Sequence, residues 1–176
     1  MRIGFPSVVD DVTVRLVAAV VLVVGTVALV TGWWQMYAVL AADFILRAAF
    51  GPRLSPLARL VLRFVRPRVA AAPRPTPGPP KRFAATIGAV LTSTAATTGM
   101  VAATTGSTGA ATTVFALGAT MIVFPALEAA AGICVGCLIF AQLMKVGLVP
   151  DEVCQECADI TRRTASVQAA TEPTAA

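Results

Sequence analysis

A chain of 176 residues would ordinarily make one soluble domain, but 57% of this one is hydrophobic and only 13% is charged, about half the roughly 25% that covers a water-facing surface. With a mean hydropathy of +0.80 and apolar runs long enough to cross a bilayer, a soluble metabolic enzyme is excluded. There is no histidine, so the commonest general base and metal ligand is missing, and Ser-His-Asp, Cys-His and zincin chemistry are excluded with it.

The first predicted span is 12–31, almost entirely Val, Ala and Leu at its centre. It lacks a small-residue cleavage site and runs closely into Trp33-Trp34, so it reads as a retained span and not a removable signal peptide. After a turn at Gly32, a second span over 33–50 covers about 26 Å, just enough for the hydrocarbon core. Residues 55–66 follow as an amphipathic helix: Arg59, Arg63 and Arg66 lie along one face, Leu57, Leu60, Val61 and Phe64 along another. Such a helix lies in the membrane interface, its arginines on anionic lipid. The proline-rich stretch 70–80 is an extended linker. A third span, 83–105, carries Thr92, Ser93, Thr94, Thr97 and Thr98 and reads as a packed helix that uses small residues and hydroxyls at its interfaces. A fourth, 112–131, follows a turn built on Gly106, Ser107 and Gly109.

Four spans put the N-terminus, 51–82 and the C-terminus on one side. All 14 Lys and Arg then fall on that side or its edge, and neither far-side turn is charged. The positive-inside rule makes the charged side cytoplasmic, so the net charge of +5 reflects topology and lipid, with no nucleic acid implied. The two halves also resemble each other. Residues 43–51 align with 124–132 at a constant offset of 81, which places Arg47 opposite Glu128 and makes the halves parallel repeats about an axis along the membrane normal. The expected fold is therefore an all-α integral membrane protein. It is a four-helix bundle of two two-helix repeats with an interfacial amphipathic helix. Residues 150–176 form a separate region, with a short cytoplasmic helix over 151–163 and a disordered tail.

Charged groups inside spans default to a functional hypothesis. Asp43 and Arg47 stand four residues apart on one helical face. With Glu128 they form either a neutralising cluster between the halves or, in the case of Glu128, a proton acceptor for the nearby thiols. All four cysteines fall in C-x-x-C pairs, Cys134/Cys137 and Cys154/Cys157, with 16 residues between the pairs. One reading is a four-thiolate zinc site. The other is two dithiols cycling through disulfides. Static disulfides do not suit a cytoplasmic face. Gly132 ends the fourth span, so Cys134 and Cys137 should open a helix, where unpaired N–H groups favour thiolate.

Arg82-Phe83-Ala84, the run Phe50-Gly51-Pro52-Arg53-Leu54-Ser55-Pro56-Leu57, and Leu127 to Cys137 with its G-x-C-x-G-C motif resemble the bacterial membrane family known as domain of unknown function 4395. The resemblance spans 12–146. It implies four membrane helices with an embedded cysteine pair, working beside thioredoxin-like or sulfurtransferase proteins. Cys154 and Cys157 lie outside its pattern. The expected function is thus a membrane-bound thiol–disulfide component at the bacterial plasma membrane, both termini cytoplasmic. The alternative is a non-catalytic scaffold whose four-cysteine zinc site clamps the C-terminal helix. Whether the chain is an enzyme stays open. Small-molecule transport has only the repeat behind it, and quinone chemistry of the vitamin-K-reductase kind is disfavoured because its dithiols face outward.

Overall fold

The computed structural model describes residues 6–149. Among them it has six α-helices, three of which are long and apolar enough to cross a membrane. Strand β1 (Val8–Asp10) leads into α1 (Asp11–Thr31), whose first turn is capped by the Asp10 carboxylate accepting from the Val12 and Thr13 amides at 3.3 and 3.2 Å. Helix α2 (Gln35–Phe50) follows. Its 16 residues extend only about 24 Å at 1.5 Å per residue, which is why it falls short of the three long spans.

Helix α3 (Pro56–Leu60) opens on a Ser55 cap. The helix expected over 55–66 is broken: α3 gives way to a π turn at Val61–Val65 and a 3-10 turn at Arg66–Arg68. Pro67 lies within that last turn, and a proline has no N–H with which to continue the α-helical ladder. The apolar face is divided as well. Ala58 and Val61 are buried against α1, while Leu60 and Phe64 are each 51% exposed. Arg66 turns inward to Asp10 at 3.1 Å, so it is not free for lipid as the sequence suggested.

The linker is shorter than the proline content implied. Strand β2 (Pro75–Pro77) pairs antiparallel with β1, and α4 (Gly78–Thr105) begins at once, five residues before the expected Phe83. Two prolines in its first turn cost nothing there, where the N–H groups have no helical partner. Helix α5 (Thr108–Ala131) starts from a Ser107 cap and also begins earlier than predicted. Helix α6 (Val135–Lys145) completes the described chain.

The four longest helices pack in the cyclic order α1, α2, α4, α5 around Val17, Val21, Ala28, Tyr37, Leu40, Ala95 and Ala96. The face of α4 that meets its neighbours is made of small residues, including Ala85, Gly88, Ala89, Thr92 and Ala95. A Cβ at Gly88 would stand 2.6 Å from the Phe44 ring, so the absent side chain is what lets α2 close on α4. The hydroxyls behave otherwise than expected. Thr92, Thr94, Thr97 and Thr98 each donate to the carbonyl four residues back in their own helix, and they bridge no helices.

Candidate thiol site

Charged ends of the four longest helices meet at one end of the bundle. There Asp10 and Asp11 start α1, Arg47 lies in the last turn of α2, Lys81 in the first turn of α4, and Glu128 near the end of α5. The predicted three-way cluster of Asp43, Arg47 and Glu128 is instead two separate groups. Asp43, 1% exposed, pairs with Arg47 and accepts from the Ser55 hydroxyl at 2.6 Å and the Leu57 amide at 2.9 Å. Its carboxylate is thereby fully occupied in docking the start of α3 onto α2. Glu128 accepts from Lys81 Nζ at 2.7 Å, and Lys81 also lies 3.6 Å from Asp11. The earlier start of α4 is what brings Lys81 to Glu128, so Arg47 is left to Asp43 alone.

Two turns deliver the cysteines. Gly132 ends α5 with φ +70, the left-handed region that a side chain resists. Arg15 completes that end, donating to the carbonyls of Ala129 and Ala130 at 2.9–3.3 Å. Such a cation complements the negative pole of the helix. Chain reversal at Gly132 makes Cys134 the N-cap residue of α6, with Cys137 in the first turn. Helix α6 then lies on α4, anchored by the Phe83 and Phe140 rings with centroids 5.6 Å apart. Gly136 permits the approach, since a Cβ there would stand 2.5 Å from Ala84 Cβ. Each glycine of the G-x-C-x-G-C motif therefore has a backbone reason, the one conformational and the other steric.

Both thiols are free, Cys134 buried at 9% exposure and Cys137 half-buried. The Cys137 S–H donates to Cys134 and holds its thiol below the ordinary value. Burial and the Glu128 carboxylate oppose this, and the Lys81 cation assists it. Cys137 is pushed up correspondingly, first by giving its proton to that hydrogen bond, then by burial and by the negative charge on Cys134. The two thiols are therefore shifted in opposite directions, Cys134 down and Cys137 up. The Glu128 carboxylate, the expected proton acceptor, is near enough to raise the Cys134 thiol as a neighbouring negative charge.

Lys81 and Arg15 were missed by sequence reasoning. Lys81 follows two prolines and reads as linker, and nothing in Arg15's neighbours marks it as a distant helix cap. Cys154, Cys157 and the helix expected over 151–163 lie outside the described residues. Among the described residues no group of three or more His, Cys, Asp and Glu side chains could hold a metal; Cys134 and Cys137 supply two thiolates of the four that the zinc reading needs.

A family described as "Domain of unknown function (DUF4395)" matches the chain over residues 9–145. The chain belongs to that family. No curated protein and no solved structure matches it. The match closes at the last residue of α6, so it takes in Cys134 and Cys137 and leaves Cys154 and Cys157 beyond it.

Proposed function

We propose that this member of the DUF4395 family is a four-span membrane protein whose Cys134–Cys137 pair exchanges disulfides with a cytoplasmic thioredoxin-like or sulfurtransferase protein. The observation that carries the reading is Cys134 at the N-cap of α6 with Cys137 in the first turn, both thiols free. A partner dithiol would reduce the oxidised pair in two steps. The first partner thiolate attacks Cys137 Sγ, the more exposed sulfur, and Cys134 leaves. A leaving thiol of lower pKa departs faster, and Cys134 is that thiol. The second partner thiolate attacks the partner sulfur of the mixed disulfide and expels Cys137. One intramolecular disulfide is reduced, one partner disulfide forms, and the partner's two protons balance the two thiols. Cys154 and Cys157 are the second dithiol in this reading.

Helix α2 serves as the fourth span because it packs along the length of α4 and buries Tyr37, Leu40 and Asp43. Arg47 and Glu128 sit at matching ends of α2 and α5, as two parallel repeats require. The charged end is cytoplasmic by the positive-inside rule. Arg59 and Arg63, beside exposed Leu60, Leu62 and Phe64, meet anionic lipid there.

The test is free-thiol titration with metal analysis on the purified protein in detergent. Thiols that appear in pairs as mild reductant is added, with no metal, support disulfide exchange. About one zinc per chain, lost on chelation as four thiols become accessible, would replace it with the zinc-clamped scaffold. Four sluggish free thiols without metal would leave cysteines that only pack.

A further inference from the structure

We propose that two adjoining pockets at the charged end of the bundle, taken together as the lobes of one site, bind a small anionic disulfide, the oxidant of the Cys134–Cys137 pair. This rests on the disulfide-exchange reading and names a second substrate for it. The larger lobe, about 310 Å³, is walled by Val9, Val14, Val17 and Phe44, at the lower end of the roughly 300–1,000 Å³ of small-molecule sites. The smaller, about 80 Å³, reaches Cys134. The lobes share Val14, Phe44, Arg47, Ala84 and Glu128 as lining.

The charge left uncommitted around this space is positive. Lys81 and Glu128 satisfy each other, and Asp10 holds Arg66. Arg47 holds Asp43 through its terminal nitrogen, but its buried Nε–H has no partner. Arg53 lines the larger lobe, is exposed, and forms no ion pair among the described residues. What remains is two guanidinium donors beside apolar walls, which suits an apolar body bearing a carboxylate or sulfonate. Cys134 is too enclosed for the sulfur of a folded partner, yet it faces the small lobe. Two routes to the pair follow, with protein thiols arriving at Cys137 and the small disulfide at Cys134.

The exchange balances. The Cys134 thiolate attacks the nearer ligand sulfur, the ligand S–S bond breaks, and half the ligand leaves as a thiolate. Cys137 gives that thiolate its proton and attacks Cys134 Sγ. The Cys134–Cys137 bond forms and the second half leaves, protonated from solvent. The pair loses two electrons and the ligand disulfide gains them.

The test uses full-length protein with Cys137, Cys154 and Cys157 changed to Ser, so that Cys134 is the single thiol. Its reaction is followed with 5,5′-dithiobis(2-nitrobenzoate), an anionic aromatic disulfide, and with 4,4′-dithiodipyridine, a neutral one. Salt of about 0.3 M screens long-range steering. The anionic probe should show saturating rates, and Arg53→Gln should lower its efficiency about tenfold, the worth of one charge-assisted hydrogen bond. The neutral probe should change less than twofold. Arg53 is exposed, so the variant leaves the fold alone. Rates linear in both probes and equally affected by Arg53→Gln would overturn the ligand site while leaving disulfide exchange standing. A Cys134 that mass spectrometry shows free but that reacts with neither probe would sink both.

Discussion

Glu128 and Lys81 should move the Cys134 thiol in opposite directions, although they form one ion pair. The Lys81 cation favours the Cys134 thiolate and the Glu128 carboxylate disfavours it. Each is a single unit charge acting on a largely buried sulfur through an effective dielectric of about 20, well below that of bulk water, so removing either one shifts the balance between thiol and thiolate. Lys81→Gln should therefore raise the pH at which Cys134 becomes alkylated by iodoacetamide, and Glu128→Gln should lower it. The double variant should return near the parent, because the two charges leave together. Site-resolved mass spectrometry of alkylation across a pH series reads all three. Were Glu128 a proton acceptor, Glu128→Gln would slow the reaction or push its midpoint upward, and either result would refute the electrostatic argument. An unmoved midpoint in both single variants would refute it equally, by showing that neither charge reaches the sulfur.

Gly136→Ala places a Cβ 2.5 Å from that of Ala84, and lifting α6 off α4 should cost about 1–3 kcal/mol. Adding Ala84→Gly should recover most of that in thermal unfolding, whereas a rescue that fails would mean the contact is not the cause. Arg15→Gln removes the charged donor to the Ala129 and Ala130 carbonyls and should lower stability by about 1–2 kcal/mol. Arg15→Lys should restore only part of it, because an ammonium lacks the guanidinium fork. At Asp10 burial raises the carboxyl pKa, but hydrogen bonds from Thr13, Arg74 and Arg66 outweigh it and hold the group below its ordinary value. A depressed carboxyl stabilises the fold above its unfolded pKa of about 3.9 and loses that contribution as pH falls through the lower folded value. The melting-temperature gap between the parent and Asp10→Asn should thus be full near neutrality and close in acid; a gap independent of pH would rule this linkage out.

The helices were legible wherever composition alone decides. Three long apolar runs had to be helices in lipid because every backbone polar group must be satisfied within the segment. Gly32, Gly106 and Gly132 punctuate them at the positions where the chain turns. The helix-opening place of Cys134 followed from Gly132 in the same way. What sequence could not supply was partner choice among charges. Glu128 had two cations within reach of its helix end, and only the start of α4 decides between Arg47 and Lys81. That start depends on Pro75–Pro77 pairing with Val8–Asp10, a long-range contact with no local signal. The hydroxyls of α4 misled for a related reason: a threonine in lipid can satisfy itself on its own helix, so its presence does not identify an interface.

The sulfur of Cys134 is the least well explained part of the motif as structure and the best explained as chemistry. An N-cap position favours Ser, Asp or Asn, whose oxygen accepts from the first-turn amides. Cys134 makes no such hydrogen bond, so the helix gains little from sulfur there that oxygen would not improve. Cys134→Ser should keep the stability or raise it by up to about 1 kcal/mol, while abolishing disulfide formation with Cys137. Cys137→Ser should behave likewise in exchange, yet leave Cys134 open to alkylation. A Cys134→Ser protein that unfolds, or one whose Cys137 still forms a disulfide with a partner at the parent's rate, would show that the sulfur is there for packing or that Cys137 acts alone. Stability retained with exchange lost would show that the fold tolerates losing this sulfur and the chemistry does not.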